Sequence, residues 1–312
     1  MKRTLPFVVP TALLLALPLL RIDARDYVLQ VLTLLFLNIV LAQSYDMVGG
    51  TMGYINLGHI AFFGLGAYAL GILYNAGVPF VPAVALAVLA VMAFAALISY
   101  PFFRLRGAYF ALAAFGLVKL MEYVTINLNW LTGGSNGLKI DPANRTVPMY
   151  LVSLAVVVIV LLASWVISRS RLGLAMKSIR EDEEVARDFG VPTRLVKTQA
   201  LVVSSIFPAV MGAFYTWYIN FIDPGQVFGL KIALTPVAMA MLGGSGLVIG
   251  PVVGAIVLYM AEEVIWTQFD ELHGAMLGGV IVVVGLFMPG GLMRLRPLDA
   301  LLGRLGWRED DR

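Results

Sequence analysis

Apolar runs of membrane-spanning length recur at short intervals along this chain and constrain its fold more than any other feature. A helix crossing a bilayer needs about 20 mostly apolar residues. Stretches approaching that length lie at 5–20, 28–45, 57–76, 80–100, 108–126, 149–168, 199–221, 232–242, 247–265 and 272–290. In lipid, backbone polar groups must be satisfied within the segment, so such runs fold as helices. The fold expected is all-α, a polytopic helical bundle with nine or ten membrane segments, some broken or re-entrant. The run at 232–242 is too short to span and reads as a half-helix or re-entrant piece. Only 13% of the 312 residues are charged, against roughly 25% in soluble domains, and mean hydropathy is +0.88. Residues 1–312 read as one transmembrane domain. Its first segment, behind Lys2 and Arg3 and irregular at Pro6, Pro10 and Pro18, reads as a membrane helix; no small-x-small site follows it, so a cleaved leader is the weaker reading.

Basic residues orient the bundle. With the N-terminus inside and the segments alternating, sixteen Lys and Arg fall inside, five outside, and Lys119 within a helix. Cytoplasmic loops carry such an excess, so both termini are expected in the cytoplasm, with 127–148 outside and 169–198 inside. The same rule accounts for the net charge of +3 without nucleic acid. No cysteine is present and there are two histidines, which excludes thiolate metal sites and a His-rich centre. No phosphate-binding G-x-x-x-x-G-K-[ST] occurs. No catalytic, metal or cofactor site is therefore assigned.

The inner loop departs most from this apolar background. Seven of the fifteen residues in SIREDEEVARDFGVP, 178–192, are charged. Ser178 and Glu181 match a capping box that would start a helix there. Val185 and Phe189 stand at i and i+4, on one face. Gly190 can end the helix, and Pro192 cannot continue it. The expectation is a short amphipathic helix along the cytoplasmic surface. It is either a solvated connector or a docking element whose Val185 and Phe189 enter a partner's groove.

Two stretches are rich in glycine, 49–71 and 241–255. Small residues let membrane helices approach closely, which accounts for most of these glycines. Broken helices also line translocation routes, because unwound backbone needs protein or water around it. Gly53, Asn56, Gly58 and His59 in the first stretch, with Gly243, Gly244 and Gly246 in the second, are the candidate pathway residues. His59 reads first as a satisfied packing residue. Lys119 and Glu122, three apart on one helix, are expected to neutralise each other; a role for Glu122 toward a substrate amino group is the alternative.

Several of these segments resemble one family in order along the chain. GYINLGHIAFFGLGAY, FRLRGAYFALAAFGLVKLMEYV with NWLTGGSNGL, RSRLGLAMKSIREDEEVARDFGVP, MLGGSGLVIGPVVGA and LFMPGGLMRLR are similar to the permeases of branched-chain amino acid ABC transporters, closer to the M-type than to its H-type partner. The resemblance covers roughly 30–296. It implies a non-enzymatic subunit in a bacterial cytoplasmic membrane, working with ABC ATPase subunits, a second related permease, an external solute-binding protein and surrounding lipid. Glu183, Glu184, Val185, Ala186, Phe189 and Gly190 match the family's ATPase-coupling loop, although Val185 replaces its usual alanine. Trp130, Gly133, Gly134 and Asn136 are the expected contacts to the binding protein. The implied solute is a branched-chain or other hydrophobic amino acid, with urea or short amides as alternatives. A stand-alone carrier or channel would need more ionisable groups within the helices than Lys119 and Glu122. An intramembrane enzyme would need partners for His59 and His273 that no spacing shows.

Overall fold

The computed structural model describes residues 25–141, 145–268, 279 and 291–294. Within them the apolar runs are helical. The long elements are α1 (Arg25–Met52), α2 (His59–Asn75), α3 (Phe80–Phe102) and α4 (Gly107–Asn127). A four-residue α5 (Asn129–Thr132) and a two-residue β1 (Leu138–Lys139) follow, then α6 (Thr146–Ser168). The polar loop holds α7 (Arg171–Glu181) and α8 (Glu183–Asp188), and α9 (Thr193–Ile219) leads out of it. Then come β2 (Phe221–Ile222), α10 (Pro224–Phe228), α11 (Leu230–Gly243) and α12 (Gly250–Gln268). Among the described residues six helical units are long and apolar enough to cross a membrane, taking Pro224–Gly243 as one. The protein is an all-α polytopic membrane bundle. The segments expected at 5–20 and 272–290 lie outside the described residues, residue 279 excepted.

Three expected boundaries change most. α1 does not stop at residue 45; it continues through Gly49 and Gly50 to Met52, about 42 Å at 1.5 Å per residue. α9 opens at Thr193 rather than 199, because Arg194, Lys197 and Thr198 are helical although polar. The 232–242 piece does not stand alone: α10 and α11 meet at Gly229, and together they make a 20-residue unit.

α1 is the hub, packing on α6, α9, α11 and α12, while the most extensive helix pair is α2 with α9. Close approach explains that second pair. A Cβ on Gly66 would lie 2.3 Å from the Ala209 carbonyl, and one on Gly212 would lie 2.0 Å from that of Phe63. Lipid supplies no hydrophobic drive between helices, so such backbone proximity, with its van der Waals contact, holds the pair. α3 and α4 bury little within the chain and present Val81, Leu97, Tyr109 and Leu112 outward.

Polar contacts between distant segments gather at two ends, as successive helices reversing direction require. At one end meet the C-terminus of α1, the start of α4, the polar loop and the loop after α11. At the other, β1 pairs antiparallel with β2, Leu138 opposite Ile222. There Arg145 donates to the Trp217 carbonyl at 2.6 Å and to Asn220 Oδ1 at 2.8 Å, and Lys231 pairs with Glu262 at 2.5 Å.

Candidate functional site

The polar loop is two helices, not one. Ser170 caps α7, its hydroxyl accepting from the Gly173 N–H at 3.2 Å. α7 then buries Gly173, Met176 and Ile179, spaced three apart on one face. Asp182 breaks the run in extended backbone (φ −159°, ψ 116°) and caps α8, its Oδ1 accepting from the N–H of Glu184 at 2.8 Å and of Val185 at 3.0 Å. The Ser178–Glu181 capping box therefore does not start the helix. Ser178 lies inside α7 and donates to the Leu174 carbonyl at 3.0 Å. The apolar spacing of α7 begins before Ser178, and Asp182 satisfies two free N–H groups where the box would satisfy one per side chain. α8 ends as expected: Gly190 adopts φ +87°, the Val191 N–H closes on the Ala186 carbonyl at 3.0 Å, and Pro192 opens α9.

α8 is held by its charges. Glu183 Oε1 accepts from Lys197 Nζ at 2.5 Å, and Oε2 from the Tyr54 hydroxyl at 2.5 Å. Lys197, 1% exposed, also donates to the Tyr54 oxygen at 2.7 Å and lies 4.7 Å from that ring's centre. Glu184 pairs with Arg106 at 2.9 Å, with both side chains largely solvated. Burial alone would raise the Glu183 carboxyl, but the hydrogen bonds from Lys197 and Tyr54 and the charges of Lys197 and Arg106 outweigh it, so it sits below its ordinary 4.5. The same burial and the neighbouring Glu183 hold the Tyr54 phenol protonated, above its usual value. Of the expected coupling residues, Ala186 is buried, Val185 is 48% exposed and Phe189 is 85% exposed.

The two glycine-rich stretches meet beside this loop. Gly53 takes φ +80°, and a Cβ there would sit 3.1 Å from the Arg180 side chain. Asn56 Oδ1 accepts from the Gly58 N–H at 3.1 Å and shapes the turn into α2. His59 lies buried with Nε2 2.7 Å from Ser44 Oγ. Gly243 allows α11 and α12 to touch: its Cβ would fall 1.7 Å from the Gly250 carbonyl. Gly244 and Gly246 adopt φ +120° and +87°, which favour glycine. The link between the stretches is Asp46. Both its oxygens stand 3.0 Å from the Gly246 N–H, while Arg180 donates to the Gly50 carbonyl at 2.5 Å. Asp46, Arg180, Lys197, Tyr54 and Arg106 are absent from the candidates read in the sequence. A lone carboxylate near the end of an apolar run was the available signal for Asp46.

At the opposite end Trp130 is 82% exposed. Gly133 and Gly134 take φ +75° and +58°, and the Asn136 N–H closes on the Gly133 carbonyl at 3.1 Å. The Thr132 hydroxyl pins this turn to the Thr125 carbonyl at 2.6 Å. Lys119 and Glu122 pair within α4 at 2.6 Å, as their spacing predicts.

Residues 27–285 match the family model described as branched-chain amino acid transport system / permease component. The chain belongs to this permease family. It is 29% identical over 293 residues to the high-affinity branched-chain amino acid transport system permease protein LivM of Escherichia coli K12, covering 84% of this chain and 68% of that one. It is 26% identical over 282 residues to the autoinducer 2 import system permease protein LsrC of Salmonella choleraesuis, covering 85% and 80%. Similarity to the high-affinity branched-chain amino acid transport system permease protein BraD of Pseudomonas aeruginosa is 26% over 279 residues, covering 81% and 90%. No solved structure matches. As a family member the chain is a multi-pass permease, a membrane component of a transport system.

Proposed function

We propose that this permease, acting as one domain over 1–312, is the membrane subunit of an ATP-driven importer in a bacterial cytoplasmic membrane. ATPase subunits dock on α8, and their closure is transmitted into the bundle. The observation that carries this reading is Phe189, 85% exposed one helical turn after Val185, on a helix whose other face is fastened by Glu183 and Glu184. Apolar side chains free on a surface that is otherwise anchored by charge suit insertion into a partner's groove. The loop holding α7 and α8 then faces the cytoplasm, with both termini on that side. The turn of Trp130, Gly133, Gly134 and Asn136 faces outward toward a solute-binding protein. A second related permease completes the membrane part.

The solute class is read from relatives. LivM and BraD are named for branched-chain amino acids and LsrC for autoinducer 2. We take a branched-chain or other hydrophobic amino acid, because the family description and the M-type sequence features agree on it. The test is retention of an ATPase through mild detergent extraction, with ATP-dependent uptake in vesicles. Both should be lost when Val185 and Phe189 become Asp. Uptake without ATP, by this chain alone, would overturn the reading in favour of an independent carrier.

A further inference from the structure

The outward face of α4 combines two features that lipid does not explain. The buried side of the helix carries Phe110, Ala114, Leu117 and Val118. Tyr109, Leu112, Leu120 and Tyr123, 54–75% exposed, stand on the opposite side. Gly116 lies among them, one residue from the midpoint of Gly107–Asn127. An internal glycine weakens a helix relative to alanine, so close packing normally accounts for it. For Gly64, Gly66 and Gly212 it does, since a Cβ on each would come within 2.3 Å of a neighbour. A Cβ on Gly116 would meet nothing within 4 Å among the described residues. The second feature is the Lys119–Glu122 pair on the flank of the same face. At 1.5 Å per residue the two stand about 3 and 8 Å beyond the midpoint, inside a hydrocarbon half-thickness of about 15 Å. Yet their side chains are 38% and 19% exposed. Lys119 gives Glu122 one hydrogen bond. An ammonium has three donors, and the other two have no partner among the described residues. Ionisable groups at this depth face protein or water rather than lipid. α3 is equally outward but carries neither a glycine nor a charge.

We propose that this face of α4 is the seat of the second permease, which brings a large apolar side chain over Gly116 and a hydrogen-bond acceptor to Lys119. The inference rests on the importer reading, which calls for a second permease, and gives that permease its place. Leu112 and Leu120 flank Gly116 one turn to either side, so the glycine forms a notch that a side chain of another helix can enter. Small residues admit such close approach between helices in lipid. Apolar surface alone suits lipid as well as protein; an open glycine and an exposed charge do not. The ends of the described chain lie elsewhere. Near one end Tyr27 donates to Glu263 at 3.0 Å, and where the chain returns Gly291 packs against Gly243 and Gly244. These points belong to α1, α11 and α12, whereas α4 packs on α2, α3 and α10. The docking helix favours the same face. Arg106, at the start of α4, pairs with Glu184 of α8, so α4 rises directly from the element on which an ATPase docks. Two ATPases that close on each other bring their two seats side by side, and with them the membrane helices above those seats.

The test uses the complete complex in its native membrane. Photoreactive p-benzoylphenylalanine replaces Leu112 or Leu120 on α4, or Leu97 on α3 as an outward control. On irradiation both α4 positions should give a covalent product with a second, different permease, identified by mass spectrometry. The α3 position should give lipid adducts only. Adducts from α4 to lipid alone, to residues 5–20 or 272–290 of this chain, or to another copy of this chain would each overturn the assignment. Gly116→Leu should lower the amount of second permease recovered with this chain by about tenfold or more. The same variant purified alone should be as stable to heat as the wild type or more so, because leucine favours a helix over glycine. A loss of stability in the isolated chain would make Gly116 an internal packing residue, and undiminished recovery would leave the face to lipid. Cross-linking decides the matter even if Gly116→Leu fails to insert. A second permease recovered with the wild type but cross-linked only elsewhere removes this face alone. ATP-driven uptake by a complex holding no second permease removes that part of the importer reading as well.

Discussion

α7 and α8 are neighbours in one polar loop, separated only by Asp182, yet they are held in opposite ways. α7 sets Met176 and Ile179, 1% and 4% exposed, into an apolar cluster with Val48, Met52, Val196 and Ala200. α8 has six residues and buries Ala186 alone. A helix that short is not stable by itself in water. Glu183 and Glu184 fasten it instead, through Lys197, Tyr54 and Arg106. Apolar burial of Met176 and Ile179 fixes α7, which turns Leu174, 61% exposed, to the outside. Charged anchoring fixes α8 and leaves Val185 and Phe189 free. The dense charge of 178–192 is thus an attachment as well as a polar surface.

The contrast is broken most severely on the free face of α8. Val185→Asp with Phe189→Asp should abolish ATPase retention and reduce ATP-dependent uptake to background. Thermal stability of the isolated permease should change by no more than about 0.5 kcal/mol, since exposed substitutions rarely cost more. A large loss of stability instead would place both side chains in the fold rather than on a docking face.

Removing the anchor should be the next largest effect. Lys197→Met leaves Glu183 charged and half-enclosed, and breaking a buried pair in this way costs about 3 kcal/mol, the low end of its range because Glu183 keeps some solvent contact. The pair also has a pH signature. Glu183 is depressed below 4.5 in the fold, so its contribution is present above 4.5 and is lost as pH falls through the lower folded value. Detergent-solubilised wild type should lose stability through that acid range. Lys197→Met should lose less there, having already lost the pair; an identical acid limb in both would remove Glu183 from the account.

Ile179→Ala tests the other member of the comparison. It should cost about 2–3 kcal/mol by cavity formation, measured by thermal unfolding, while α8 keeps its salt bridges and the complex still retains ATPase at permissive temperature. If Ile179→Ala released the ATPase as fully as the α8 variants, α7 would be part of the docking surface.

How much of this was legible follows from the range of the interactions. Apolar runs are local, so α4 at Gly107–Asn127 falls within a residue of its expected limits, and the all-α membrane bundle was readable throughout. Limits failed where polar residues continue a helix, as at Thr193–Thr198 in α9, because hydropathy cannot see a helix whose first turns are packed among charges. The Ser178 box failed because Asp182 offers a competing cap four residues later. In the polar loop, the shared outer face of Val185 and Phe189 and the left-handed turn at Gly190 follow from spacing and conformational preference. The roles of Tyr54 and Asp46 do not, since each finds its partner 129 and 200 residues away. A buried ionic group reveals its purpose only when the fold brings up the other half.

The smallest expected effect makes the sharpest distinction between anchoring and solubilising charge. Arg106 and Glu184 pair at 2.9 Å with side chains 54% and 63% exposed. Exposed pairs of this kind contribute about 1 kcal/mol or less and weaken with salt. Arg106→Gln should therefore barely change unfolding. Its consequence is positional, because this pair ties α8 to the start of α4, while Glu183 ties it to α9. With one tether cut, α8 stays folded on Lys197 but gains freedom to pivot. Uptake should fall about two- to threefold relative to ATP hydrolysed, which corresponds to well under 1 kcal/mol, and Arg106→Lys should restore most of it. A variant with unchanged coupling would make Arg106 a solvated neighbour, and the Glu183–Lys197–Tyr54 cluster the whole of the anchor.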